Sequence, residues 1–208
     1  MKRITFALAA MTIATSAMAA PISGSSGAGA PVLAGATSTI TFEDQGNATF
    51  TTLTLDGVEF SGNGTGSLRT DDGYKGQYNG RGDRYMDNNA GNTNQLRFDF
   101  TNTVNAFAFN WGASNVQWVL SGFGAADNLL ESFALPITAG SNLGEYVGLN
   151  VAGMSYATLT ASGGGDWIFI DNFTIVEAPD QAAAVPEPAS LALFALGLAA
   201  LGLRRRKA

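Results

Sequence analysis

The chain has 208 residues, 26 of them glycine, with 13% charged residues and neither cysteine nor histidine. That double absence excludes a disulfide framework, a Cys/His zinc site, a Ser-His-Asp triad and a cysteine nucleophile. Six of the 11 basic residues sit at the two extreme ends. Between those ends five basic residues face 17 acidic ones, a net charge of −12 that repels phosphate backbones and excludes nucleic acid binding.

The N-terminus begins Met1-Lys2-Arg3, continues apolar from Ile4 to Ile13, and reaches Ala17-Met18-Ala19. A basic start, a short apolar run and a small-x-small site predict a signal peptide over 1–19, cleaved after Ala19. Residues 20–36 follow, mostly Gly, Ser and Ala after Pro21, and read as a flexible leader.

From 37 to 177 the pattern is that of strands. Leu96-Arg97-Phe98-Asp99-Phe100 alternates strictly, as does Phe107-Ala108-Phe109-Asn110-Trp111. Further strands are expected over Thr39–Glu43, Thr49–Leu55, Val58–Ser61, Gln117–Gly122, Leu130–Leu135, Glu145–Leu149, Ala157–Ala161 and Trp167–Ile175. They are rich in Thr, Val, Ile and aromatic residues, which suit a pleated, half-buried surface. Asp56-Gly57 and Gly163-Gly164-Gly165-Asp166 mark turns between them. About ten short strands without a helical period predict an all-β domain, an antiparallel β-sandwich of jelly-roll type. The absence of a fixed internal repeat disfavours a β-helix.

The stretch from Gly62 to Asn94 breaks the pattern: it is polar, Gly-rich and nearly free of aliphatic residues. It reads as one long loop, and loops of that length in compact domains are functional or disordered. Sugar binding needs flat aromatic faces beside planar hydrogen-bonding groups. Tyr74, Tyr78 and Tyr85 beside Arg81 and Arg84 fit that need, whereas Trp111 and Trp118 read as core residues. Asp71, Asp72, Asp83 and Asp87 in the same stretch offer oxygens for calcium, although their spacing matches no EF-hand. Paired carboxylates are the remaining catalytic option, a carbohydrate-active enzyme, with Glu59, Glu131 and Glu145 available by type; no spacing singles out a pair. The domain is therefore expected to be non-catalytic.

After a linker over 178–184 come Val185-Pro186-Glu187-Pro188-Ala189-Ser190, an apolar run to Leu203, and Arg204-Arg205-Arg206-Lys207. The 15 residues from Ala189 to Leu203 give about 22 Å of helix, short of a roughly 30 Å hydrocarbon core unless the arginines snorkel. The basic cluster should remain cytoplasmic, leaving the body outside.

The order and spacing of these three elements over 185–208 resemble the PEP-CTERM sorting signal of Gram-negative bacteria. The resemblance implies that Pro186, Glu187, Pro188 and the Arg204–Lys207 cluster are read by an exosortase, an intramembrane transpeptidase. It also implies transient inner-membrane anchoring and export to the cell surface or extracellular matrix, in organisms that often make exopolysaccharide. Ile40-Thr41-Phe42-Glu43-Asp44, Gly57-Val58-Glu59-Phe60-Ser61 and Asp166–Ile175 are similar to strands of carbohydrate-binding jelly rolls. That likeness implies a calcium site pairing the first and last strands, with Glu43, Asp44 and Asp171 as ligands, and a polysaccharide-associated structural or adhesive role.

Overall fold

A computed structural model of the chain describes residues 19–27, 29–80 and 82–179. The expected signal peptide, apart from Ala19, lies outside the described residues, as do the sorting motif, its apolar helix and Arg81.

The described residues form twelve antiparallel strands: β1 (Ala20–Ser25), β2 (Ser38–Ile40), β3 (Ala48–Phe50), β4 (Thr52–Leu55), β5 (Val58–Gly62), β6 (Leu68–Asp71), β7 (Tyr85–Asp87), β8 (Gln95–Gly112), β9 (Trp118–Phe123), β10 (Leu129–Ala134), β11 (Glu145–Ala161) and β12 (Phe169–Glu177). The described residues contain no helix. The all-β, antiparallel expectation holds.

The two longest strands organise the rest. The first half of β8 lies between β5 and the second half of β11, which also pairs with β9. The second half of β8 lies between β12 and the first half of β11, which also pairs with β1. One half-sheet is therefore ordered β10-β9-β11-β8-β5-β4. The other runs β1-β11-β8-β12, with β2 and β7 both on β12, and continues through β6 to β3. The pairing of β11 with β8 shifts register between Asn150 and Tyr156, around Gly153 at φ 79°. Such an irregularity bends a strand and lets it pass from one layer to the other.

The two layers meet through aromatic residues. Phe98 and Phe60 pack on Phe173 at 5.1 and 5.2 Å between ring centroids, and Phe98 reaches Phe109 at 5.8 Å. Trp111 and Trp118 close the same core at 6.0 Å, both buried as expected. Edge-on and offset pairs of this kind contribute about 0.5–1.5 kcal/mol each beyond their area. The result is a β-sandwich.

Three expectations need correction. Residues 20–36 are not simply a leader, because Ala20–Ser25 pair along their full length with Asn150–Glu145 of β11. Main-chain bonds hold this strand, so a composition poor in apolar residues did not reveal it. Gly62–Asn94 is not one loop, since β6 and β7 pair within it and bury Leu68, Tyr85 and Met86. Finally, the alternating stretches in β8 and in β11 are two continuous strands rather than four short ones.

Candidate functional site

Four loops converge at one end of the sandwich: β6–β7 (72–84), β8–β9 (113–117), β10–β11 (135–144) and β11–β12 (162–168). They enclose a cleft of about 280 Å³ lined by Tyr74, Tyr78, Ala113, Asn115, Ala139, Gly140, Trp167 and Phe169.

A buried polar side chain anchors each wall. Asn79 donates from Nδ2 to the Trp111 carbonyl at 2.9 Å and accepts from the Gly144 amide at 2.6 Å, which ties the tyrosine loop to the sheet end. Asn88 donates to the Thr93 and Asp166 carbonyls and accepts from the Ile168 amide at 3.1 Å, fixing the segment that carries Trp167. Asp166 accepts from the Trp118 indole at 2.7 Å and from the Asn115 amide at 3.0 Å, which seats the 113–117 loop. Asn142 accepts from the Asn79 amide and donates to the Gly76 carbonyl, joining two of the loops. Buried groups satisfied in this way hold a site in one arrangement.

The backbone is also constrained here. Tyr78, Ala113 and Ala139 all line the cleft and all have positive φ, at 51°, 63° and 44°. Left-handed conformations cost non-glycine residues about 1–2 kcal/mol and concentrate at ligand sites.

The aromatic geometry is angular. Tyr74, the most exposed ring at 37%, stands edge-on to Trp167 at 5.1 Å and 84°. Tyr78 lies 5.8 Å from Tyr74 and meets Phe169 edge-on at 5.4 Å. The Trp167 indole N–H is buried beside the Asp87 carboxylate, and the Arg69 guanidinium lies 5.4 Å from the ring centroid. Trp167 therefore offers the cleft hydrocarbon surface rather than a donor. Asn115 donates from Nδ2 to the Ala113 carbonyl at 2.9 Å and to Asp166 at 3.2 Å, which leaves its exposed Oδ1 as an acceptor.

Behind Trp167, Asp87 is fully buried and bound by Arg69 Nη2 at 2.7 Å and by the Asn89 amide at 2.6 Å. Burial raises the Asp87 carboxyl above its ordinary range, and Arg69 opposes the shift. Burial also pushes the Tyr85 phenol up, with Asp71 and Asp87 adding to the effect.

Tyr74 and Tyr78 thus meet in the cleft, whereas Tyr85 and Arg84 do not join them. Tyr85 is buried and stacks on Phe169 at 4.2 Å, so it has no face for a ligand. Arg84 donates to Asn47, away from the cleft lining. The calcium ligands are likewise not assembled. Glu43 accepts from the Asp83 and Arg84 amides, while Asp171 is buried and accepts from the Asn172 amide. Among the described residues no group of three or more acidic side chains converges on a metal position. In the β6–β7 region, Asp71 and Asp87 bind Arg69, Asp72 binds Asn47, and Asp83 pairs with Lys75. Those oxygens serve the loops themselves. Trp167 and Ala139 were not picked out as ligand contacts by sequence, although a turn signal directly precedes Trp167.

Residues 184–207 match the PEP-CTERM protein-sorting motif. The chain carries that sorting signal. It marks an exported protein sorted to the cell envelope. No curated protein matches the chain. Among solved structures it is similar to the K2 cleaved adhesin domain of Lys-gingipain, with a TM-score of 0.43 and 13% identity over 67% of this chain and 97% of that one. It is also similar to a DUF4465 family protein from Bacteroides caccae, with a TM-score of 0.40 and 10% identity over 68% of this chain and 100% of that one. A family 6 carbohydrate-binding module gives a TM-score of 0.33 and 15% identity over 68% of this chain and 94% of that one. These likenesses are loose, and the fold described above rests on its own strand pairing.

Proposed function

We propose that this is an exosortase-processed surface or extracellular-matrix protein of a Gram-negative bacterium whose sandwich holds exopolysaccharide without cleaving it. The aromatic cleft carries the reading. An exposed tyrosine ring, a second ring set perpendicular to it and an amide acceptor are what a pyranose needs, because its C–H face stacks while its hydroxyls donate. Buried polar anchors hold the cleft ready-made, which lowers the ordering cost of binding. Glycosidic cleavage needs two carboxylates flanking the scissile bond, and none of the described residues lining the cleft is Asp or Glu. The sorting motif supports this reading, because it marks an exported protein sorted to the cell envelope.

The test is retention of the full-length protein, in mild detergent, on the host's own exopolysaccharide, in calcium and then in chelator. Retention that Tyr74→Ala abolishes and chelation leaves intact is expected. Equal retention of wild type and Tyr74→Ala would refute the cleft as the binding site. Release of reducing sugar would refute the non-catalytic role.

A further inference from the structure

Resting on that reading, we infer that the cleft selects uncharged glycans and rejects those bearing carboxylate or sulfate groups. Three observations converge on the sign of the ligand.

First, among the described residues no charged side chain lines the cleft. Among the described residues, two cations of the neighbouring segment are already paired. Arg69 binds Asp87 at 2.7 Å and Asp71 at 3.0 Å, and Lys75 pairs with Asp83 at 3.4 Å. Recognition of an anionic sugar calls for a free guanidinium or ammonium, usually as a fork on the carboxylate.

Second, the polar group that Asn115 presents is an acceptor. Its amide nitrogen is used on the Ala113 carbonyl and on Asp166, so Oδ1 is left to face the ligand. A sugar hydroxyl can donate to that oxygen. A carboxylate has only lone pairs to bring to it.

Third, the buried Asp166 carboxylate bonds directly to Asn115, and the chain between its basic ends has a net charge of −12. A like charge brought beside that carboxylate is repelled locally, and the surrounding field slows its approach. The remaining surface is aromatic hydrocarbon, which favours the apolar face of an uncharged pyranose.

The structure also supplies a variant that reverses the sign. A Cβ at Gly140, on the cleft lip, would meet nothing within 4 Å, so a lysine side chain can start there without a clash at its Cβ.

The experiment measures retention of full-length protein on immobilised neutral polysaccharides (galactan, xylan and β-glucan) and acidic ones (alginate, polygalacturonate and hyaluronan). Wild type, Tyr74→Ala and Gly140→Lys are compared at low and at high salt. The expected result is wild-type binding to at least one neutral polymer, unchanged by salt and lost in Tyr74→Ala. Binding to the acidic polymers should be weaker by about tenfold or more, the factor that about 1.4 kcal/mol of repulsion supplies. Gly140→Lys should gain salt-sensitive retention on an acidic polymer. Tyr74-dependent binding of wild type to an acidic polymer, as tight as to any neutral one, would overturn the inference and leave the aromatic site standing. A Gly140→Lys variant that gains nothing on the acidic polymers would overturn the electrostatic reason for the selection. Failure to bind any polymer would sink the binding role itself, and the inference with it.

Discussion

The closest backbone approach in the cleft wall gives the sharpest prediction. A Cβ on Gly112 would overlap the Tyr78 carbonyl oxygen and stand 2.5 Å from its carbonyl carbon, closer than real Cβ atoms approach. In Gly112→Ala the tyrosine loop must therefore retreat by about 1 Å or more. Asn79 follows Tyr78 directly, so its bonds to the Trp111 carbonyl and the Gly144 amide, now 2.9 and 2.6 Å, stretch beyond hydrogen-bonding distance. Each buried group left without a partner costs about 1–3 kcal/mol, partly offset by about 0.5–1 kcal/mol from replacing a strand glycine. A net loss of about 2–3 kcal/mol corresponds to a fall in Tm of about 5–10 °C for a domain of this size. Thermal melts followed by circular dichroism give the stability, and polysaccharide retention gives the site. The variant should keep its β spectrum, melt early and lose retention as Tyr74 and Tyr78 move. Gly140→Ala, which meets open space, is the control and should match wild type in stability. If Gly112→Ala melts and binds like wild type, the loop does not rest on the sheet end and the reasoning fails.

Further predictions separate the tyrosines, test the buried ion pair and address export. Tyr74→Ala should abolish retention and cost under about 1 kcal/mol in urea unfolding, whereas Tyr85→Ala should cost about 3–5 kcal/mol because it empties a buried site stacked on Phe169. Asp87 binds its proton more tightly when folded than when unfolded, because burial raises its pKa. Its contribution to stability is therefore fully present below the ordinary carboxylate range and is lost as pH rises through the raised folded value. The urea midpoint of Asp87→Asn relative to wild type should rise over that window; a difference that stays constant with pH would refute the assignment. Intact-mass analysis of the exported protein should show the Arg204–Lys207 cluster gone, and its retention at the cell surface would defeat processing at the sorting motif.

Much of this protein is legible as sequence. Strand character shows wherever large apolar and polar residues alternate, because side chains on a strand point to opposite faces. Leu96–Phe100 and Phe107–Trp111 could be assigned for that reason, and Trp111 and Trp118 could be placed in the core. The sorting signal at the C-terminus reads directly because it is linear: proline-rich site, apolar run and basic end lie within one short stretch. Tertiary structure alone decided the rest. Ala20–Ser25 became a strand because β11 offered an open edge, and main-chain pairing leaves no mark on side-chain composition. Asn79, Asn88 and Asp166 look like loop residues by type, yet they are buried because backbone groups more than 30 positions away complete their hydrogen bonds. Tyr74 and Tyr85 belong to the same polar stretch. One faces the cleft and the other the core because β6 and β7 fold that stretch back onto β12. Local pattern fixes what a residue does to its own strand. Which distant groups complete its bonds, and which face it shows to water, are set only when the sheets close.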